Sequence, residues 1–85
     1  MPNPFNPTTS ISYDVPAGGA QVTLRVYDAT GGLVRTLVEE ERPAGTHAVT
    51  WDGRNATGTP VSSGVYFYRM VSGSFSESRR MVLLK

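Results

Sequence analysis

The sequence contains no cysteine. Disulfide stapling, thiolate metal sites and a thiol nucleophile are therefore excluded together. The compartment stays open, because an exported bacterial domain can also do without cysteine. No run of roughly 18 apolar residues occurs, so no segment has the length and hydropathy of a membrane-spanning helix. The opening MPNPFNPTTS lacks the basic start and apolar stretch of a signal peptide. Charge of one sign is also missing. The net charge is +1, which gives no field to gather nucleic acid or acidic lipid. The adjacent Arg79 and Arg80 do not make a nucleic-acid patch. There is one histidine and one tryptophan.

What is present is turn chemistry and apolar alternation. The 85 residues include nine glycines and six prolines, with 39% hydrophobic and 18% charged residues. That is too apolar and too weakly charged for a disordered chain. It fits one small all-β domain. A chain of this size buries roughly 60–65% of its unfolded surface, enough for one core but not for a core and a deep cleft.

PNPFNP opens the chain as an extended, proline-stiffened lead-in over residues 1–7, with Phe5 as an anchor. Met1 ahead of it reads as a start codon added to an excised module, which predicts an upstream passenger domain. TTSISYDV alternates, with Ile11, Tyr13 and Val15 on one face. QVTLRVYD is the cleanest strand, with Val22, Leu24 and Val26 inward. GLVRTLVEEE shows helical spacing of Leu33, Val34, Leu37 and Val38. Its β-branched residues and flanking Gly-Gly and Pro favour strand, and an isolated helix of about ten residues would be marginal. THAVTWD places Val49 and Trp51 on one face. GVYFYRMV places Val65, Phe67 and Val71 on one face and Tyr66, Tyr68 and Met70 on the other. Apolar residues on both faces predict a central strand. FSESRRMVLLK is the last strand. A short strand near Pro60–Ser62 would complete the set.

The spacing predicts an all-β fold in a single domain over 1–85, an antiparallel sandwich or a small barrel, and with the seventh strand an immunoglobulin-like antiparallel β-sandwich of about seven strands. Its core is Trp51, Phe67, Val22, Leu24 and Val26, with Trp51 central between two sheets.

No set of residues announces catalysis. Asp14, Asp28 and Asp52 each end a predicted strand, where Asp commonly bonds its own turn. A catalytic pair needs carboxylates about 5–10 Å apart across a cleft. Glu39–Glu41 read as a solvated strand end. DGRNATG resembles a calcium loop only superficially, because Asp52 and Asn55 are three apart and no distal Glu follows. We assign no metal and no cofactor. His47, alone and without a nucleophile motif, reads as a half-exposed edge residue. Tyr66 and Tyr68 share one strand face, the geometry of an aromatic platform for sugars or bases. The same residues also suit a half-buried face with hydroxyls at the rim.

Taken in order, PNPFNPTTSISYDVP, VTLRVYDATGGLVRTL, PAGTHAVTWDGRNATGTPVSSGVYFYRM and RRMVLLK resemble the FlgD-like immunoglobulin-like domain across nearly the whole chain. WDG, GTPVSSGVY and MVLLK carry most of that resemblance. It implies a non-enzymatic Ig-like sandwich, similar to the C-terminal sorting domain read by the type IX secretion system of Bacteroidota. On that reading the partners are secretion-machinery proteins of the outer membrane, and no nucleic acid. The protein is exported through the periplasm to the cell surface or the medium, where a processing peptidase removes the domain in some such systems. The resemblance carries recognition onto Asn3, Pro4 and Phe5 at the entry. It also marks Gly64, Val65 and Tyr66 in the penultimate strand, and Met81, Val82, Leu83, Leu84 and Lys85 at the end. The last strand would pair with a partner's edge. The terminal position and Lys85 favour sorting. The alternatives are a structural spacer or capping module of the flagellar hook-cap type, and a carbohydrate-binding accessory domain.

Overall fold

A computed structural model describes residues 8–84. The proline-rich lead-in, Asn3, Pro4, Phe5 and Lys85 lie outside the described residues. Among these residues six strands form: β1 (Thr9–Val15), β2 (Ala20–Asp28), β3 (Leu33–Arg42), β4 (Gly45–Trp51), β5 (Gly64–Ser72) and β6 (Phe75–Leu83). β1 and β4 make a two-stranded sheet. The other four make a second sheet in the order β3-β2-β5-β6, and all pairs are antiparallel. The two sheets close on each other as an immunoglobulin-like β-sandwich. The ambiguous GLVRTLVEEE is strand β3, as its β-branched residues predicted. Two irregularities in its pairing with β2 explain its mixed spacing. Leu37 and Val34 have no partner in that register, and both pack partly against the core.

The seventh strand is corrected. Only an isolated bridge, Arg54 to Pro60, forms there. Pro60 has no N–H to donate to a ladder. The surrounding loop instead bonds to itself, Asn55 N–H to the Thr59 carbonyl and Val61 N–H to the Gly53 carbonyl.

The core is built from alternate residues of both sheets. β1 supplies Ile11, Tyr13 and Val15, β2 supplies Val22, Leu24 and Val26, and β4 supplies Trp51. β5 is central, as predicted, but the face turned inward is the opposite one. Tyr66, Tyr68 and Met70 are buried, whereas Phe67 and Val65 point outward and are 37% and 36% exposed. Phe67 is therefore not a core residue. Period-2 alternation defines two sets of side chains but not which set faces in, and here both sets are apolar. The inward choice satisfies two polar atoms at the rim. The Tyr66 hydroxyl donates to the Ser62 carbonyl at 2.7 Å. Trp51 Nε1–H, against the same ring, donates to the Arg54 carbonyl at 3.0 Å.

The β1–β2 turn depends on Gly19. Its φ is +77°, and a Cβ there would stand 2.8 Å from the Arg42 carbonyl oxygen. Gly19→Ala therefore destabilises the chain by about 1–3 kcal/mol. In the core, Leu24→Ala lowers unfolding free energy by about 2–5 kcal/mol. Phe67→Ala, on the open face, lowers it by under about 1 kcal/mol. Urea denaturation of the three variants checks this ranking.

Candidate functional site

Register brings the residues singled out by sequence to one corner of the larger sheet. Gly64 pairs with Leu83, Val65 with Val82, and Tyr66 with Met81. Their side chains then divide between two surfaces. Tyr66 and Leu83 are buried and Met81 packs partly against the core, while Val65, Val82 and Leu84 are exposed.

The aromatic platform is corrected. Tyr66 and Tyr68 are only 7% and 8% exposed. The Tyr66 ring meets Trp51 edge-on, with centroids 5.3 Å apart. Burial pushes the Tyr68 phenol above its ordinary pKa. A ring enclosed between two sheets offers no face for a sugar, so the carbohydrate-binding alternative loses its proposed surface.

The aspartates serve two turns and one cross-strand pair. One oxygen of Asp28 accepts bonds from Thr30 Oγ1 at 2.7 Å, Gly32 N–H at 2.8 Å and Thr30 N–H at 3.0 Å. The Thr30 hydroxyl first, and then the backbone donors, hold this carboxyl below its usual pKa. Asp52 accepts from Arg35 at 2.8 Å and from Arg54 N–H at 3.1 Å. Asp14 accepts from Thr46 at 2.8 Å. Thr46 lies at the start of β4 and Asp52 just past its end, so Asp14 and Asp52 sit at opposite ends of the ribbon. At about 3.4 Å per residue they are roughly 20 Å apart, too far for a catalytic pair. Asn55 ties the DGRNATG loop together through Thr57 and Thr59. Among the described residues no group of three His, Cys, Asp or Glu gathers around a metal position. His47 is half-buried at the edge of the two-stranded sheet, as its spacing predicted. It stacks on Tyr13 at 5.5 Å, with Nε2 2.8 Å from the Pro43 carbonyl.

Two surfaces remain. A groove of about 540 Å³ separates β1 from β6, lined by Ser10, Ser12, Tyr13, Phe75, Glu77 and Arg79. Among the described residues β6 is an edge strand, hydrogen-bonded to β5 alone. The other surface is the outer face of the four-stranded sheet. Register lays Leu33, Tyr27, Phe67 and Arg80 in one row across all four strands. The adjoining row is Thr36, Arg25, Arg69 and Ser78. Arg25 pairs with Glu39 at 2.9 Å. Sequence reasoning missed this face because it placed Phe67 and Val65 inside. The available signal was that both faces of GVYFYRMV are apolar while the outward set alone includes an arginine.

Comparison with known proteins decides the family. Residues 3–74 match the model of the FlgD Ig-like domain. The chain belongs to the FlgD Ig-like domain family. It is 39% identical over 59 residues to the basal-body rod modification protein FlgD of Salmonella typhimurium, covering 69% of this chain and 25% of that protein. The FlgD of Escherichia coli K12 is 34% identical over 59 residues, covering 69% and 26%. The chain thus spans about a quarter of the length of the curated relatives it matches. The crystal structure of FlgD from P. aeruginosa superposes with a TM-score of 0.71 at 22% identity, over 92% of this chain and 62% of that one. That likeness speaks for the fold.

These findings overturn the type IX sorting expectation. The relatives that match are flagellar FlgD proteins, not sorting domains. The family match ends at residue 74, before the Met81–Lys85 segment on which sorting recognition rested. Outer-membrane secretion machinery as partner falls with it, and these relatives lend no support to a cell-surface or extracellular destination.

The Asp28 turn makes a pH prediction. Its carboxyl titrates lower folded than unfolded. Its stabilisation is therefore complete above the unfolded value of about 3.9, and is lost as pH falls through the lower folded value. Asp28→Ala weakens the fold at neutral pH, and the difference from the parent shrinks as the medium is acidified below about pH 4. Denaturation at several pH values reads this, and a penalty independent of pH would contradict it.

Proposed function

We propose that this chain is a non-catalytic structural module, an Ig-like spacer or capping element of a flagellar assembly protein of the FlgD type. The observation that carries this reading is the family match over residues 3–74. The relatives' own description, basal-body rod modification protein, supports the same setting. Its partners would then be protein subunits of the flagellar rod or hook, met after export.

The chemistry of the chain agrees with a passive element. Its aspartates are engaged in turn, cross-strand and ion-pair bonds, and its tyrosines Tyr66 and Tyr68 are committed to the core. The polar loop after Trp51 is bonded mainly to itself. What it offers a partner is surface shape, and β-sandwiches hold such surfaces rigidly.

A domain exchange tests the proposal. In a Salmonella strain lacking its own FlgD, the matched segment of FlgD is replaced by this chain, and in a control by a flexible linker of equal length. The chimera should restore swimming well above the linker control. A chimera as abundant as the parent but no better than the linker would contradict the structural-module reading.

A further inference from the structure

The outer face of the four-stranded sheet combines three features that its fold does not require. The first is an apolar surface. Leu33, Tyr27 and Phe67 are cross-strand neighbours in one row, and Val65 and Val82 face each other nearby. Leu33 and Val82 are each 59% exposed. The second is a juxtaposition of like charges. Arg25 and Arg69 stand directly opposite each other on β2 and β5, a pairing that works against the sheet. Glu39 answers Arg25. Arg69 and Arg80 have no carboxylate within ion-pair distance among the described residues. The third is shape. A hollow of about 140 Å³ opens between Thr23, Arg25, Tyr27, Arg69 and Val71. It adjoins a broader depression of about 550 Å³ that shares Tyr27 and Arg69 and adds Phe67 and Ser78.

We propose that this face docks an acidic amphipathic segment of a partner protein, with a carboxylate between Arg25 and Arg69 and apolar side chains over Tyr27, Phe67 and Leu33. Arginine suits this role because its planar, always-charged fork binds carboxylate in two directions. The terminal nitrogens of Arg25 reach the surface, where one already binds Glu39 at 2.9 Å, and those of Arg69 have no carboxylate partner among the described residues. A second copy of the chain is the wrong occupant. A two-fold contact through this face would gather Arg25, Arg69 and Arg80 of both copies into one interface, with only Glu39 and Glu41 of each to offset them. A nucleic acid is also the wrong occupant. The net charge of +1 gives little field to gather phosphates, and phosphate contacts would leave the apolar row unused. The surface stands whichever assembly the chain serves, so its test is separate from the domain exchange above.

The probe is a library of random dodecapeptides displayed on phage and panned on the 85-residue chain. Selected peptides are then measured by fluorescence anisotropy. The expected winners combine Asp or Glu with large apolar residues. Their affinity falls about tenfold or more in Arg69→Glu and in Phe67→Ser. It is unchanged in Arg79→Glu, which lines the β1–β6 groove instead. Circular dichroism confirms that each variant is folded. Arg69→Thr, which removes the like charge, raises the melting temperature by about 2 °C. The proposal is overturned by a panning that yields no binders or winners without acidic residues, or by winners indifferent to Arg69→Glu. It is also overturned by an oligothymidylate that binds the parent chain and loses affinity in Arg69→Glu, or by an Arg69→Thr chain that melts lower.

Discussion

The edge-on contact between Trp51 and Tyr66 organises the molecule. Trp51 ends β4 in the small sheet, and Tyr66 lies near the start of β5 in the large one. Their contact is the aromatic bridge across the sandwich. Each ring also fastens a piece of the intervening loop, Trp51 through the Arg54 carbonyl and Tyr66 through the Ser62 carbonyl. Both polar tips are thereby satisfied while both rings are dry, which a buried tyrosine or tryptophan requires. Because Tyr66 faces in, Tyr68 and Met70 follow it, and Val65, Phe67 and Arg69 are committed to the outer face. One aromatic contact thus fixes both the core and the open surface.

Much of the fold was legible in the sequence. Val22, Leu24 and Val26 alternate with polar residues, so their burial followed directly from period and polarity. Turn glycines and prolines marked the strand ends, and β-branched residues settled β3 as strand despite its helical spacing. Family resemblance was legible too, through WDG and GTPVSSGVY. The orientation of β5 was not legible. Tyr-Tyr-Met on one side and Val-Phe-Val on the other are both apolar enough to be buried, and local alternation cannot choose between them. The choice depends on where the Ser62 carbonyl and Trp51 lie in three dimensions, and no spacing rule encodes that. The inversion moved Phe67 out of the core and the two tyrosines into it, and so removed a sugar platform and exposed a different surface.

The functional expectation failed for a related reason. Sorting was assigned largely from the terminal strand, where MVLLK looks distinctive as a string. In the structure Leu83 is a core residue of β6, while Val82 and Leu84 lie outward. A strand whose alternate residues complete a sandwich is explained by folding alone, and the family match excludes this segment. The domain's fold is shared by proteins with different tasks, and fold by itself does not choose among them.

The claim on which everything else rests is that β5 turns Tyr66, Tyr68 and Met70 inward. Two-dimensional nuclear Overhauser spectroscopy on the folded chain tests it most directly. The account predicts cross-peaks between the Trp51 indole and the Tyr66 ring protons, and none between Trp51 and Phe67. Strong Trp51–Phe67 or Trp51–Val65 cross-peaks would show the opposite face buried. They would contradict both the core and the outer surface described above.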